Sequence, residues 1–225
     1  MPGTRFTLVT FVAAVVGCGT GGGSVKPDDM AAAQHREEAA RENEAARQHA
    51  RDYHPNAAVP SPFRTTNTAG AGDYAFSTSV YNPTEANLRR AEQHRAHARE
   101  HEKAAEALER FEAAECFNFP PSTRAACPLL GPVSRIDDTA GGVRVTFAPG
   151  TRVDAVLAHM RCHYAYARTR GFEEATTCPL YLRGIDIKPA KDPLAIEITT
   201  ADAAQVGELR ARSREEAVYA RRSAR

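Results

Sequence analysis

Hydrophobic and polar positions divide the chain into regions of different character. Residues 28–53 and 83–115 are rich in alanine, glutamate, arginine and histidine. Alanines recur in both at seven-residue spacing, and a stripe of small residues lets two helices approach closely, which predicts an antiparallel helical hairpin. Residues 54–82, with several prolines among glycine, threonine and serine, predict a flexible linker between the helices. The recurring alanines are Ala32, Ala39, Ala46, Ala91, Ala98 and Ala105.

Residues 116–220 have the pattern of a small mixed domain. Two pairs of alternating segments predict two β-hairpins, and each is followed by a segment with helical spacing. The order ββαββα most simply folds as a two-layer unit with a four-stranded antiparallel sheet and two helices on one face, so the fold class is predicted to be α+β. The strands are predicted at 133–136, 143–147, 185–187 and 194–198, and the helices from Val153 to Ala167 and from Asp202 onward.

Residues 1–17 have the pattern of a secretory signal peptide, with one basic residue ahead of an apolar run that is too short to span a bilayer. The segment Val15-Val16-Gly17-Cys18 resembles the lipobox of bacterial lipoproteins. That resemblance implies cleavage before Cys18 and acylation of its sulfur, so that Cys18 becomes a palmitate-bearing N-terminus. Residues 18–27, rich in glycine, are then predicted to be a flexible tether.

The position after the lipobox cysteine bears on the membrane to which the protein is sorted. Enterobacterial lipoproteins with Asp there are retained in the inner membrane, and this chain has Gly19. The resemblance therefore implies an anchor in the outer membrane, with the mature chain facing the periplasm. The expected partners are the lipid bilayer, through acylated Cys18, and another protein of the cell envelope.

Charge and hydropathy exclude two broad classes of protein. The chain has 29 basic and 28 acidic residues, a formal net charge of +1, and so lacks the positive field that grips nucleic acid. Its mean hydropathy of −0.47 and lack of any long apolar run exclude a membrane protein with several spans. Residues 221–225 are a short basic tail, interpreted as solvated.

The cysteine content agrees with export. Without Cys18, four of the 5 cysteines remain, an even number that predicts a disulfide framework in an oxidising compartment. Four cysteines allow three sets of pairings. Because short loops cost the least entropy to close, the sequence favours Cys116–Cys127 and Cys162–Cys178.

Histidines on the two predicted helices are the residues most suggestive of chemistry. His94, His97 and His101 share one helix face, and imidazole is the commonest ligand of Zn, Cu and Ni. The favoured alternative is a solvated polar face without any ion, since no fixed-spacing motif defines a closed site. The first predicted helix offers further ligands to such a metal site: His35 and His49, with Glu38 and Glu42 between them.

A zinc site in the second domain is a further hypothesis, using His159, Cys162, His163 and Cys178. Helical geometry argues against it. Cys162 lies about half a turn away from the apolar face of its helix. Its thiol is therefore predicted to point outward, which suits a disulfide better than a zinc ligand. His163 is predicted to lie at the edge of the core.

The chain contains none of the catalytic motifs sought: no nucleophile elbow, no phosphate-binding glycine loop, no zincin motif and no dinucleotide fingerprint. The lipobox, the two helices and the motifs Tyr81-Asn82-Pro83, Cys162-His163 and Cys178-Pro179-Leu180-Tyr181 together resemble a group of exported lipoproteins from high-GC Gram-negative bacteria. The resemblance to that group implies no enzymatic activity for this chain. The sequence therefore predicts a non-catalytic binding or structural protein of the cell envelope without a cofactor; the alternative is a periplasmic protein that binds Zn or Cu through its helical histidines.

Overall fold

The computed structural model of the chain describes residues 25–60, 80–130, 133–173 and 175–223. The predicted signal peptide, the acylation site Cys18 and most of the tether lie outside these ranges. Residues 61–79 of the predicted linker and the last two residues of the basic tail also lie outside them. The α+β fold class is confirmed: a helical hairpin precedes a domain built on one four-stranded sheet.

The sheet is antiparallel throughout, with strand order β3-β4-β6-β5. Register pairs Val145 with Ile196 and Arg144 with Glu197 on the two central strands. Because successive side chains of a strand point to opposite faces, one face is apolar and the other carries an Arg144–Glu197 ion pair with a 2.7 Å N–O distance. The strands are β3 (Val133–Thr139), β4 (Gly142–Phe147), β5 (Ile185–Pro189) and β6 (Ala195–Thr200).

Two helices cover the apolar face of the sheet, as the alternation predicted. Helix α4 (Val153–Arg170) contributes Met160 and helix α5 (Val206–Ser223) contributes Leu209 to the core of buried strand residues. Burial of such side chains stabilises the domain by about 1.5–3 kcal/mol each. Helix α5 continues to Ser223, so the first residues of the predicted basic tail are helical.

The helical hairpin is formed by α1 (Ala32–Arg51) and α2 (Glu85–Glu115), a few residues shorter than predicted. The predicted start of the first helix, at residue 28, is instead part of a 3₁₀ turn over Pro27–Asp29. All six recurring alanines are buried, so the predicted alanine seam is the contact surface between the helices. Two histidines, His35 and His101, are buried along the same seam.

The hairpin packs on the outer surface of α4, the surface that faces away from the sheet. Helix α4 is therefore covered on both sides, which explains why Cys162 and Ala165 are as buried as Met160. An ion pair between Arg168 and Asp28, with an N–O distance of 2.7 Å, joins α4 to the turn before α1. The two parts of the molecule thus form adjoining layers.

The predicted linker is held together at its two ends. Val59–Pro60 (β1) pairs with Val80–Tyr81 (β2) as a two-residue antiparallel ladder. A short helix α3 (Pro121–Arg124) follows α2. None of the helices in the described ranges is both long and apolar enough to cross a membrane.

The alanine seam provides a stability test with a matched control. Ala39 is buried on the face that α1 presents to α2, whereas its neighbour Ala40 is exposed. We expect Ala39→Leu to lower the free energy of unfolding by about 1–3 kcal/mol, because a larger side chain must push the helices apart. Ala40→Leu should change it by less than about 0.5 kcal/mol. Urea denaturation followed by circular dichroism measures both, and equal effects would contradict the packing described.

Candidate metal centre

The structure contains a disulfide between Cys116 and Cys162, with a Cα–Cα distance of 4.6 Å. A disulfide is thus confirmed, but both predicted pairings, Cys116–Cys127 and Cys162–Cys178, are wrong. Cys116 lies at the C-terminal end of α2, and this end rests on the outer surface of α4, where Cys162 is located. The outward direction predicted for the Cys162 thiol is correct. Its partner comes from helix packing and not from the nearest segment of chain.

The other two cysteines within the described ranges, Cys127 and Cys178, are free thiols that lie side by side. Their sulfur atoms are 3.0 Å apart, and the Cys178 sulfur is 3.4 Å from Nε2 of His163. Among the described residues, these three form the group in which one potential metal-binding atom per residue lies within 4.8 Å of the others. His163 and Cys178 are buried and Cys127 is partly buried.

Each cysteine of this cluster is held by the same local structure. Cys127 and Cys178 each begin the tripeptide Cys-Pro-Leu, and a 3₁₀ helix starts at the proline in both cases. Proline is favoured at this first helical position because its φ angle is already suitable and its missing N–H needs no partner. Leu129 and Leu180 are completely buried beside the cysteines. The two turns therefore anchor both sulfurs in the domain core.

The hydrogen bonding of His163 defines which nitrogen faces the sulfurs. Nδ1 lies 2.7 Å from the backbone oxygen of Arg124. A carbonyl oxygen can only accept, so Nδ1 donates its proton. In the neutral ring Nε2 then has a free lone pair, and this is the atom directed at Cys178. Metal-binding histidines are commonly oriented by such a hydrogen bond on the other nitrogen.

The two thiols are not equivalent electrostatically. The hydrogen bond between Cys178 and Cys127 and the neighbouring His163 lower the pKa of Cys178 to about 5, although burial opposes the shift. The hydrogen bond to Cys178, together with burial, raises the pKa of Cys127. Glu216 on α5 lies close by, and burial and then the charge of Cys178 raise the pKa of its carboxyl. The opposite shifts make Cys178 the more acidic thiol of the pair.

This arrangement is compatible with three kinds of chemistry. The thiols can oxidise to a second disulfide, the Cys178 thiolate can act as a nucleophile, or two sulfurs and one nitrogen can bind a metal ion. Thiolate is a soft ligand, and a set of two thiolates and one imidazole suits Zn²⁺ or Cu⁺.

The zinc hypothesis drawn from the sequence named two residues of this cluster and two that lie elsewhere. Cys162 is engaged in the disulfide, and Nε2 of His159 lies 2.9 Å from the backbone oxygen of Thr123. His163 and Cys178 do come together, but the ligand beside them is Cys127, which sequence reasoning had assigned to a disulfide. The repeated Cys-Pro-Leu tripeptide is the signal that could have linked Cys127 with Cys178.

The helical histidines occupy a separate position in the hairpin. Nδ1 of His94 and Nδ1 of His97 lie 2.5 Å and 3.1 Å from the two carboxylate oxygens of Glu42. His101 instead contacts His35, with a distance of 3.0 Å between their Nδ1 atoms. The three predicted ligands His94, His97 and His101 therefore do not converge on one point in this structure.

Comparison with known proteins gave no relative: the chain matches no family model, no curated protein and no solved structure.

The disulfide can be tested by peptide mapping of the exported, unreduced protein. We expect Cys116 to be linked to Cys162, and any cross-link that involves Cys127 to end at Cys178. The double variant Cys116→Ala/Cys162→Ala should lose about 2–4 kcal/mol of unfolding free energy because the unfolded chain is no longer constrained. Recovery of a Cys116–Cys127 peptide would contradict the packing of α2 on α4.

Proposed function

We propose that this protein is a lipid-anchored, non-catalytic protein of the bacterial cell envelope that binds a thiophilic metal ion through Cys127, His163 and Cys178. The observation that carries the proposal is the position of Nε2 of buried His163, which faces a sulfur atom 3.4 Å away. Its other nitrogen is fixed by a backbone carbonyl, so the ring is oriented for use as a ligand.

Burial of His163 favours a metal site over a second disulfide. A buried polar atom without a partner costs about 1–3 kcal/mol. In the dithiol form, Nε2 accepts a hydrogen bond from the Cys178 thiol or, once the proton has moved to the ring, donates one to the Cys178 thiolate. In the metal-bound form, Nε2 binds the ion. A Cys127–Cys178 disulfide has no proton to donate, so it would leave Nε2 unpaired in the core. A bound ion also protects both sulfurs from oxidation in an oxidising compartment.

The donor set restricts the metal to soft or borderline ions. Cu⁺ is well suited to two thiolates and an imidazole, and Zn²⁺ is suited to the same three with a fourth ligand. The Glu216 carboxylate, whose hydrogen-bonding interaction with Cys127 places it beside the cluster, is the nearby group for that fourth position. Ca²⁺ and Mg²⁺, which prefer oxygen ligands, do not fit this site.

The location in the envelope rests on the lipobox and is supported by the disulfide. Structural disulfides persist mainly in exported proteins, and Cys116–Cys162 joins two helices in the interior. Together with the lipobox at Cys18, this supports an outer-membrane anchor with the folded chain in the periplasm.

Metal binding can be tested on the mature chain without its acyl group, handled anaerobically with the Cys116–Cys162 disulfide intact and Cys127 and Cys178 as free thiols. We expect one Zn²⁺ or Cu⁺ per chain, measured by competition with a chromophoric chelator and by native mass spectrometry. Cys178→Ser and His163→Ala should each weaken binding by at least about 100-fold, because each removes a direct ligand.

His159→Ala is the matched control for this experiment. His159 lies one turn before His163 on the same helix and also hydrogen-bonds a backbone carbonyl, but it is not part of the cluster. Its removal should change the metal affinity less than threefold, about 0.6 kcal/mol. If the wild-type protein with both thiols free and the disulfide intact binds neither ion, the proposed function is wrong.

Acylation is tested separately by labelling cells with radioactive palmitate. The wild-type protein should carry the label and sediment with outer membranes, and Cys18→Ala should lose both properties because the acylated sulfur is gone. Cys178→Ala, which removes a cysteine of the core, should keep the label. Equal labelling of the Cys18→Ala variant would refute the anchor.

A further inference from the structure

We propose that the helical hairpin carries a second, cysteine-free metal site, in which Nε2 of His97 and Nε2 of His101 bind a divalent transition-metal ion such as Ni²⁺, Cu²⁺ or Zn²⁺. The two histidines are four residues apart on α2, so they lie one turn apart on the same face. This site is distinct from the cysteine cluster and goes beyond the function proposed above.

Hydrogen bonding defines the tautomer of His97. Its Nδ1 lies 3.1 Å from Oε1 of Glu42. A carboxylate oxygen only accepts, so Nδ1 of His97 donates its proton. Nε2 is then the atom with the lone pair, and the carboxylate behind the ring makes it a better ligand.

The tautomer of His101 follows from a chain of two hydrogen bonds. Nε2 of His35 lies 3.2 Å from the backbone oxygen of Pro27, which can only accept, so this nitrogen carries the proton. Nδ1 of neutral His35 is therefore an acceptor. Nδ1 of His101, 3.0 Å away, must donate to it. His101 is thus left, like His97, with its lone pair on Nε2.

The spacing of the two rings agrees with joint binding. The centroids of His97 and His101 are 5.0 Å apart. Two imidazoles bound to one ion through nitrogens at about 2.1 Å have centroids about 4.5–5.2 Å apart. In the described part of the chain, neither Nε2 makes a hydrogen bond with another residue. The separation of the two rings is therefore compatible with binding of one ion by both.

Charge and accessibility also favour a cation at this position. The His97 side chain is 46% exposed, which gives an ion access from solvent. The carboxylates of Glu38 and Glu42 on α1 are close enough to act on His101.

His94 belongs to the surroundings of the site and not to its ligands. It shares Glu42 with His97 but stacks on His49, with ring centroids 5.3 Å apart. In the described ranges, no set of three potential ligands converges at this place. The remaining coordination positions would be filled by water, so the site is expected to be exchangeable and weaker than the cysteine centre.

The test uses Ni²⁺ and the mature chain with Cys127→Ser/Cys178→Ser, so that the cysteine centre cannot contribute. We expect one Ni²⁺ per chain by isothermal titration calorimetry at neutral pH. His97→Ala in this background should weaken binding at least tenfold, since one of two protein ligands is lost. Glu42→Gln, which removes the carboxylate that lies behind His97 and also contacts His94, should weaken it about tenfold. His54→Ala, at an exposed histidine elsewhere, should have no effect.

Two results would overturn the site: no Ni²⁺ binding in the cysteine-free background, or unchanged binding in His97→Ala. His97 is half-exposed, so its variant should melt at the same temperature as its parent without metal, and this distinguishes loss of a ligand from loss of the fold. The outcome is independent of the cysteine centre. Failure of that centre leaves Ni²⁺ binding intact, and failure of this site leaves the Zn²⁺ and Cu⁺ affinities of the unmodified chain unchanged.

Discussion

The disulfide between Cys116 and Cys162 is the constraint on which the arrangement of the molecule depends. It fixes the end of α2 against the outer surface of α4, and thereby holds the hairpin on the domain. Cys162 faces α2, while Met160 of the same helix packs into the core over the sheet. Consecutive residues of a helix point about 100° apart, so in this rotation of α4 His163 faces the two thiols. The covalent bond and the packing of α4 on the sheet together orient the imidazole of the cysteine cluster.

The two proposed metal sites follow one rule of hydrogen bonding. A histidine whose Nδ1 is bound to an acceptor-only group must present Nε2 as its lone pair. The backbone oxygen of Arg124 does this for His163 and the Glu42 carboxylate does it for His97. For His101 the acceptor is Nδ1 of His35, whose Nε2 donates to the backbone oxygen of Pro27. The sites differ in what surrounds the lone pair. Buried sulfurs suit a tightly held soft ion, whereas a half-exposed ring beside carboxylates suits an exchangeable divalent one.

Local patterns in the sequence were sufficient for the fold but not for the cysteines. Alternating apolar residues predicted the four strands, and helical spacing predicted α4, because the sheet buries one face against the helix. The recurring alanines predicted the contact surface between the two helices of the hairpin. Disulfide pairing was predicted from loop length, yet packing of α2 on α4 brought Cys116 to Cys162 across 46 residues. Cys127 was missed as a neighbour of His163 for the same reason. Contacts between layers leave no periodic signal in either partner.

Pro27 and Asp28, where the predicted tether meets the hairpin, contact both α1 and α4. The carboxylate of Asp28 pairs with Arg168 of α4 at 2.7 Å, and its backbone oxygen accepts from Arg183. The preceding residue, Pro27, offers its oxygen to His35, and this contact begins the hydrogen-bond chain to His101. Movement of the tether relative to the domain would therefore first disturb the hydrogen bonds that run from Pro27 through His35 to His101. If Pro27 withdrew, Nε2 of His35 would lose its only described acceptor, and the tautomer that leaves Nε2 of His101 free would no longer be imposed.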